Sequence, residues 1–295
     1  MGDDTPYIGE TVYNSKTKEV QTLYGSKELV SSAIEEYNTC EKNGAKCMKG
    51  TYGSVHKVSV GAKEYYVKYL YFSENLLKKK LNIYNEIATA IHLTKRIPTY
   101  VSNLMASSII EKESSVSAYL IFEAPPGIIL LEYLKYNNPS EKKNIQKYKS
   151  IYCSLKAAQE AIHKAGFVHR DIKPANIFVV HERSGIYKCK LIDFGFTVPL
   201  GTEGASAGTL NYMPKSLHTT RMTRAKKSHN DYSVETIWNT DFLFKQPPPD
   251  CSAASGPPLP PVNNSNTNTN SNSTRSKSKS KTRRSSKSSR TSNRE

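Results

Sequence analysis

The sequence has little that would cross-link it, send it through a membrane or hold it in one. Its five cysteines, Cys40, Cys47, Cys153, Cys189 and Cys251, are scattered, with no C-x-x-C pair and no metal-ligand spacing. An odd, dispersed set argues against a disulfide framework and suits a reducing compartment. The opening MGDDTPYIGE is acidic and has no apolar stretch, so it is not a secretory signal. Gly2 is no myristoylation signal, because Pro6 stands where Ser or Thr is needed. The longest apolar region, 119–134, is broken by Glu123, Pro125 and Pro126 and cannot span a bilayer. These absences lead us to expect a soluble intracellular protein without membrane contact, in the cytoplasm, the nucleus or both. Residues 246–295 lack Ile, Phe, Tyr, Trp and Met, with Leu259 and Val262 their only large aliphatics. Such a segment cannot offset the entropy of ordering itself and reads as disordered.

What the chain does have is basic charge. Its 295 residues carry a net charge of +16, of which the tail contributes +7 from nine Lys or Arg and two acids. The remaining length suffices for one large domain with a real core. Residues 1–39 read as a polar N-terminal extension with a short helix at 27–37. Val55, Lys57 and Ser59, followed by 64–71, alternate as two strands around a turn at Gly61-Ala62. Over 82–93, Ile83, Ile87, Ala90 and Ile91 share one helical face. Residues 119–122 form a short strand ending at Ala124-Pro125-Pro126-Gly127, a turn signal. Ile151, Leu155, Ala158 and Ile162 mark the clearest helix, 147–165, closed by Gly166. Two short strands follow at 176–180 and 188–192. This order predicts an α+β protein with a small β-rich lobe and a mainly helical lobe.

The decisive segment is His169-Arg170-Asp171-Ile172-Lys173-Pro174-Ala175-Asn176, followed by Asp193-Phe194-Gly195. Set between a helix end and a strand, it offers a carboxylate, an ammonium two residues on, an amide three further, and a second carboxylate after the next hairpin. Phosphoryl transfer from a nucleotide needs such groups: one to orient the attacking hydroxyl, a cation on the phosphoryl, and oxygen ligands for a divalent metal. The segment resembles the H-R-D-x-K-x-x-N and D-F-G motifs of eukaryotic-type serine/threonine protein kinases. The resemblance covers about 200 residues and implies a bilobal fold. It implies that Asp171 accepts or orients the substrate hydroxyl proton and that Lys173 touches the γ-phosphate. Asn176 and Asp193 would hold Mg²⁺ (or Mn²⁺) with ATP.

Upstream, Gly50-Thr51-Tyr52-Gly53-Ser54-Val55 resembles the glycine-rich loop over the ATP phosphates, with Met48 at the place of the family's first glycine. Lys68, in Tyr66-Val67-Lys68, stands at the place of the family's phosphate-pairing lysine. Its helix partner is expected to be Glu86, with Glu74 as the second candidate. Leu120-Ile121-Phe122-Glu123-Ala124-Pro125 resembles the hinge, where adenine would bond backbone groups near Glu123 and Pro125. Pro125 has no N–H, so another residue must supply the usual donor. Gly208-Thr209-Leu210-Asn211-Tyr212-Met213-Pro214-Lys215 resembles the end of an activation segment, one residue short and with Lys215 in place of Glu. The resemblance makes Thr209 a brace for Asp171 and Lys173, favours Ser/Thr substrates, and makes Arg170 a receptor for activation-loop phosphate, with Thr202 and Ser206 as candidate sites.

Asp231-Tyr232-Ser233-Val234 resembles the helix start whose Asp anchors the catalytic loop. The family's later C-lobe helices have no counterpart in the pattern. Domain boundaries follow as 1–39 for the extension, 40–244 for the kinase domain (N-lobe 40–123, C-lobe 127–244) and 245–295 for the tail. A compact kinase of this kind is also similar to those of large DNA viruses. Within the tail, 257–261 is polyproline material, spacer or groove ligand. The Ser- and Thr-rich basic run 275–294 is a solubilising tail, a binder of acidic or nucleic-acid partners, a nuclear address or a phosphorylation target. Three rivals to an active protein kinase stay open: a pseudokinase scaffold, a small-molecule phosphotransferase, and a nucleic-acid binder acting through its tail.

Overall fold

The computed structural model describes residues 9–15, 18–45, 48–50, 53–139, 141, 144–182, 186–242 and 247–251. The tip of the glycine-rich segment, Thr51-Tyr52, and the tail tracts at 257–261 and 275–294 lie outside them.

Seven antiparallel strands form the N-terminal sheet: β1 (Glu10–Asn14), β2 (Glu19–Tyr24), β3 (Met48–Gly50), β4 (Gly53–Val60), β5 (Lys63–Phe72), β6 (Leu104–Lys112) and β7 (Ser115–Glu123), in the spatial order β1-β2-β6-β7-β5-β4-β3. Two helices cover it. Helix α1 (Lys27–Lys42), capped by Ser26 Oγ accepting from the Leu29 N–H at 3.2 Å, packs Val30, Ala33 and Tyr37 with Val58, Tyr65, Val67 and Ile121. Helix α2 (Leu76–Arg96) packs Ile83, Ile87, Ala90 and Leu93 with Leu70, Ala118 and Leu120. The period of two in a strand sorts these residues. Tyr65, Val67 and Tyr69 belong to the α1 cluster, while Tyr66 and Leu70 belong to the α2 cluster. Lys68 therefore falls on the α2 side.

The strands at 10–14 and 19–24 were not foreseen, and they join the N-terminal extension to the lobe's sheet through β2–β6 pairing. The helices also exceed their expected bounds: α1 runs on to Lys42, and α2 begins at Leu76 because the charged run Lys78-Lys79-Lys80 hides its periodicity.

The second lobe is built on α4 (Ile145–Lys164), preceded by β8 (Ile128–Ile129) and α3 (Leu130–Tyr136). Ile151, Leu155 and Ile162 of α4 are fully buried, each contributing about 1.5–3 kcal/mol by leaving water. Then come β9 (Phe167–Val168), β10 (Ile177–His181), β11 (Tyr187–Leu191), β12 (Val198–Pro199), β13 (Glu203–Ala205), β14 (Met222–Arg224) and α5 (Lys227–Thr236). A π-helical turn, Ile237–Asp241, sets the buried Trp238 against Tyr152, and Phe242 packs on Tyr148. Among the described residues no helix follows it, and none is long and apolar enough to cross a membrane.

Two sequence expectations need correction. The cysteines are not all free: Cys153 on α4 is bonded to Cys251, with their Cα atoms 5.2 Å apart and a sequence separation of 98. Spacing gave no hint of a bridge closed by tertiary folding. Disorder from residue 246 onward also fails at its start, because 247–251 is described and Cys251 packs against the main core.

Candidate active site

Lys68 reaches the space between the lobes from β5. Its Nζ lies 2.7 Å from Glu86 Oε1 on α2 and 2.9 Å from Asp193 Oδ1. Glu74 is not its partner. Burial alone would lower the Lys68 pKa, but the two carboxylates outweigh it and hold the ammonium above the ordinary lysine value. Burial pushes the Glu86 carboxyl up. Asp193, despite partial burial, is held below the usual aspartate range by Lys68.

The catalytic-type loop forms a closed network around Asp171, which is buried. Its Oδ1 accepts from Thr209 Oγ1 at 2.6 Å. Its Oδ2 accepts from Asn176 Nδ2 at 3.0 Å and lies 3.0 Å from Lys173 Nζ. Lys173 Nζ also donates to Thr209 Oγ1 at 2.8 Å. Asn176 Nδ2 donates to Asp171 O as well, at 2.9 Å, which leaves Oδ1 as the atom this amide has to offer a cation. The Asn176 carbonyl accepts from the Ile192 N–H at 3.1 Å, bringing the residue before Asp193 onto this loop. His169, buried beneath the loop and thereby held neutral, has its Nε2 3.1 Å from Ile192 O. Asp171 and Asn176 are thus bonded to each other, the residue before Asp193 is bonded to Asn176, and Asp193 itself is paired with Lys68.

Two backbone features hold this arrangement. Arg170 and Asp193 have φ of 68° and 64°, left-handed values that cost a non-glycine residue about 1–3 kcal/mol. Gly208 has φ 134°, and a Cβ there would sit 2.4 Å from Arg170 O. Only glycine lets the activation segment approach so closely that Thr209 meets Asp171.

Other assigned residues fall as follows. Val55 pairs with Lys68 across β4–β5 and with Met48 across β3–β4, and Gly50 pairs with Gly53. A Cβ at Gly53 would lie 1.8 Å from Tyr69 O, so that glycine is required by its contact with β5, whatever it does for a phosphate. Glu123 and Pro125 lie where β7 leaves the sheet. Arg170 is occupied with main chain: Nε donates to Phe196 O at 2.6 Å and Nη1 to Ala205 O at 3.2 Å. Ser206 Oγ donates to Leu217 O at 3.0 Å, while Thr202 is exposed.

One assignment moves by a residue. Asn230, fully buried at the start of α5, accepts the Arg170 N–H at 3.0 Å and bonds His163 Nε2 at 3.0 Å. Asp231 instead faces α4, where it accepts from Gln159 Nε2 and lies 4.0 Å from Lys156. The sequence favoured the acid, and Asn230 gave itself away only as a polar residue one turn before Val234. We expect Asn230→Ala to cost about 1–3 kcal/mol for each group left unpaired. Asp231→Ala leaves one buried group unpaired, the Gln159 amide, and should cost less than Asn230→Ala, which strands two. Urea unfolding of the two variants checks the order.

Sequence reading also missed Lys190, which ties the hinge to β11 through Glu123 Oε1 at 2.5 Å, Pro98 O at 2.8 Å and Val101 O at 3.0 Å. Lys215 is exposed on a 3₁₀ turn. Lys215→Glu is expected to change stability by less than about 0.5 kcal/mol, and a larger gain in unfolding free energy or in activity would show that an acid here finds a partner.

An oxygen donor set of one carboxylate and one amide fits a small hard cation that keeps other ligands of its own. Among the described residues no group of three His, Cys, Asp or Glu forms a metal cage. Such a site suits a metal that arrives with the phosphates of a nucleotide, and Lys68 supplies the cationic wall.

The fold and the arrangement of these residues are those of the protein kinase class. The protein kinase domain family matches residues 42–248, and the chain belongs to that family. Serine/threonine-protein kinase CBK1 of Yarrowia lipolytica is 30% identical over 208 residues, 68% of this chain and 33% of that protein. The protein of the same name from Pneumocystis carinii is 32% identical over 209 residues, 70% of this chain and 37% of that one. A Caenorhabditis briggsae protein named cAMP-dependent protein kinase, catalytic subunit-like, is 29% identical over 209 residues, 68% and 49% of the two chains. This chain spans about a third of the length of the two fungal relatives. All three are fungal or animal proteins, and the likeness to viral kinases finds no support among them.

Proposed function

We propose that the chain transfers the γ-phosphoryl group of ATP to Ser or Thr hydroxyls of protein substrates. The observation that carries this reading is the bridge Lys173–Thr209–Asp171, which fixes a carboxylate and an ammonium side by side.

ATP with Mg²⁺ or Mn²⁺ would supply the electrophilic phosphoryl and offset the charge on its oxygens. Asn176 Oδ1 and the Asp193 carboxylate are the residues to hold the metal. Lys68 is kept protonated and aimed by Glu86, so it meets phosphate oxygens without reorganisation. Asp171 orients the incoming hydroxyl and receives its proton, while Lys173 stands ready for charge on the phosphoryl. Thr209 links these two groups to the activation segment, so a protein substrate lying on that segment is presented to them. This link favours a protein substrate over a small metabolite. The scaffold alternative finds no support among the relatives, and the sequence carries Lys68, Asp171, Asn176 and Asp193, which supports transfer over a scaffold.

The experiment is transfer from γ-labelled ATP to generic basic and acidic proteins, followed by phosphoamino-acid analysis. Label on serine or threonine is expected. Label on a metabolite alone, or binding of nucleotide with no transfer to any protein including itself, would overturn this reading.

A further inference from the structure

The hinge, residues 123–126, has two prolines in four positions, and its only two N–H groups are already engaged. The Glu123 N–H donates to Asn103 O at 2.9 Å, and the Ala124 N–H donates to Glu64 O at 3.2 Å. Pro125 and Pro126 have no N–H to give. Ser102 Oγ donates to Glu123 O at 3.2 Å, occupying one of that carbonyl's two lone pairs. Lys190 then clamps the Glu123 carboxylate, so the segment is held in this arrangement from its first residue. Along this stretch the main chain has carbonyl acceptors to offer a base and no uncommitted donor.

Resting on the reading of the cleft as an ATP site, we propose that the hinge recognises adenine by its exocyclic 6-amino group and its shape, and leaves ring nitrogen N1 without a main-chain hydrogen bond. Pro125 is the residue that sets this selectivity. Adenine's polar edge presents a donor, the 6-amino group, beside an acceptor, N1. A carbonyl answers the first, and the second lone pair of Glu123 O is available for it. Answering N1 takes an N–H, and Pro125 removes the one that an ordinary residue at that position would carry. Borrowing from Glu123 or Ala124 would break a bond that holds the hinge to Asn103 or to β5. Affinity for the base therefore depends on the amine and on apolar contact, and replacing N1 by a carbon should pass unnoticed.

Calorimetric titration of the full chain with ATP, 1-deaza-ATP (C–H in place of N1) and purine riboside triphosphate (H in place of the 6-amino group), each with Mg²⁺, tests the proposal. The expected Kd for 1-deaza-ATP is within about twofold of that for ATP, while loss of the amine weakens binding about three- to tenfold, the worth of one hydrogen bond. Pro125→Ala restores an N–H and should make 1-deaza-ATP bind about three- to tenfold more weakly than ATP. Lost packing or stiffness at position 125 moves both ligands together, so the ratio isolates the N–H. A wild-type chain that already binds 1-deaza-ATP about fivefold or more weakly than ATP overturns the proposal and leaves the ATP site standing. A Pro125→Ala protein that still treats the two alike overturns the role of Pro125. Absence of binding by all three nucleotides overturns the proposal together with the reading it rests on. Should Pro125→Ala fail to fold, the wild-type ratio decides alone.

Discussion

Asp171→Asn is expected to lower kcat about a hundred- to ten-thousand-fold, the usual contribution of a positioned acid–base group, with nucleotide affinity nearly unchanged. The network around the residue also predicts that this exchange is not silent for stability. Thr209 Oγ1 donates to Oδ1, which an asparagine carbonyl still satisfies. The other position, now an NH₂, would face Asn176 Nδ2 and Lys173 Nζ, both donors about 3.0 Å away. Flipping the amide merely aims NH₂ at Thr209 instead. A cost of about 1–3 kcal/mol follows from donors left without an acceptor. That cost cannot mimic the loss of rate, because a shift in the folded fraction changes the amount of active enzyme and leaves the rate per folded molecule alone. Single-turnover transfer, normalised to nucleotide-binding sites, separates the two. Turnover within about tenfold of wild type would remove Asp171 from the chemistry.

The catalytic loop was legible because its chemistry sits in contiguous letters. Asp171, Lys173 and Asn176 are spaced so that one turn of backbone brings their side chains together, and Asp193 follows at the end of a short hairpin. Lys68 was legible from its resemblance to the family's lysine in Tyr66-Val67-Lys68, and the alternation of β5 then sets it opposite Val67 and Tyr69, on the side where α2 packs. What stayed hidden depends on contacts between distant segments. The Cys153–Cys251 bridge spans 98 positions, and Lys190 meets Glu123 only after the lobes fold against one another. Strands β1 and β2 are short and polar, and β1 is exposed throughout, so neither shows an apolar alternation. The anchor of the catalytic loop was placed one residue late because an aspartate adjoins the asparagine that does the work, and burial, which sequence does not print, distinguishes them. Arg170 illustrates a further limit: the letters do not show that its guanidinium also holds two backbone carbonyls, those of Phe196 and Ala205.

Lys68→Met should abolish detectable transfer and destabilise the protein by an amount that depends on pH. In the wild type the ammonium sits between Glu86, 7% exposed, and Asp193. Removing it leaves two carboxylates facing each other, one of them deeply buried. The expected cost is about 3 kcal/mol, the lower end for an orphaned buried charge, since the Lys68 side chain keeps 19% of its surface in solvent. Burial already raises the Glu86 carboxyl, and losing its cation raises it further. A carboxyl whose folded pKa lies above its unfolded value stabilises the fold while protonated, below the ordinary glutamate range, and that contribution is lost as pH rises through the folded pKa. The deficit of Lys68→Met relative to wild type should therefore widen as pH rises above the ordinary glutamate range. In wild type the raised lysine works in the opposite region: its contribution is complete below the ordinary lysine pKa and fades only in strong alkali. Adding Glu86→Gln to Lys68→Met removes the buried charge, so the double variant should regain most of the lost stability, lose the added pH dependence, and stay inactive. Thermal denaturation at pH values from the ordinary glutamate range upward decides it. A deficit independent of pH, or a double variant no more stable than Lys68→Met, would mean that Glu86 is held by something other than Lys68. Recovered transfer in the double variant would mean that Lys68 serves only to neutralise Glu86 and does not act on the phosphates.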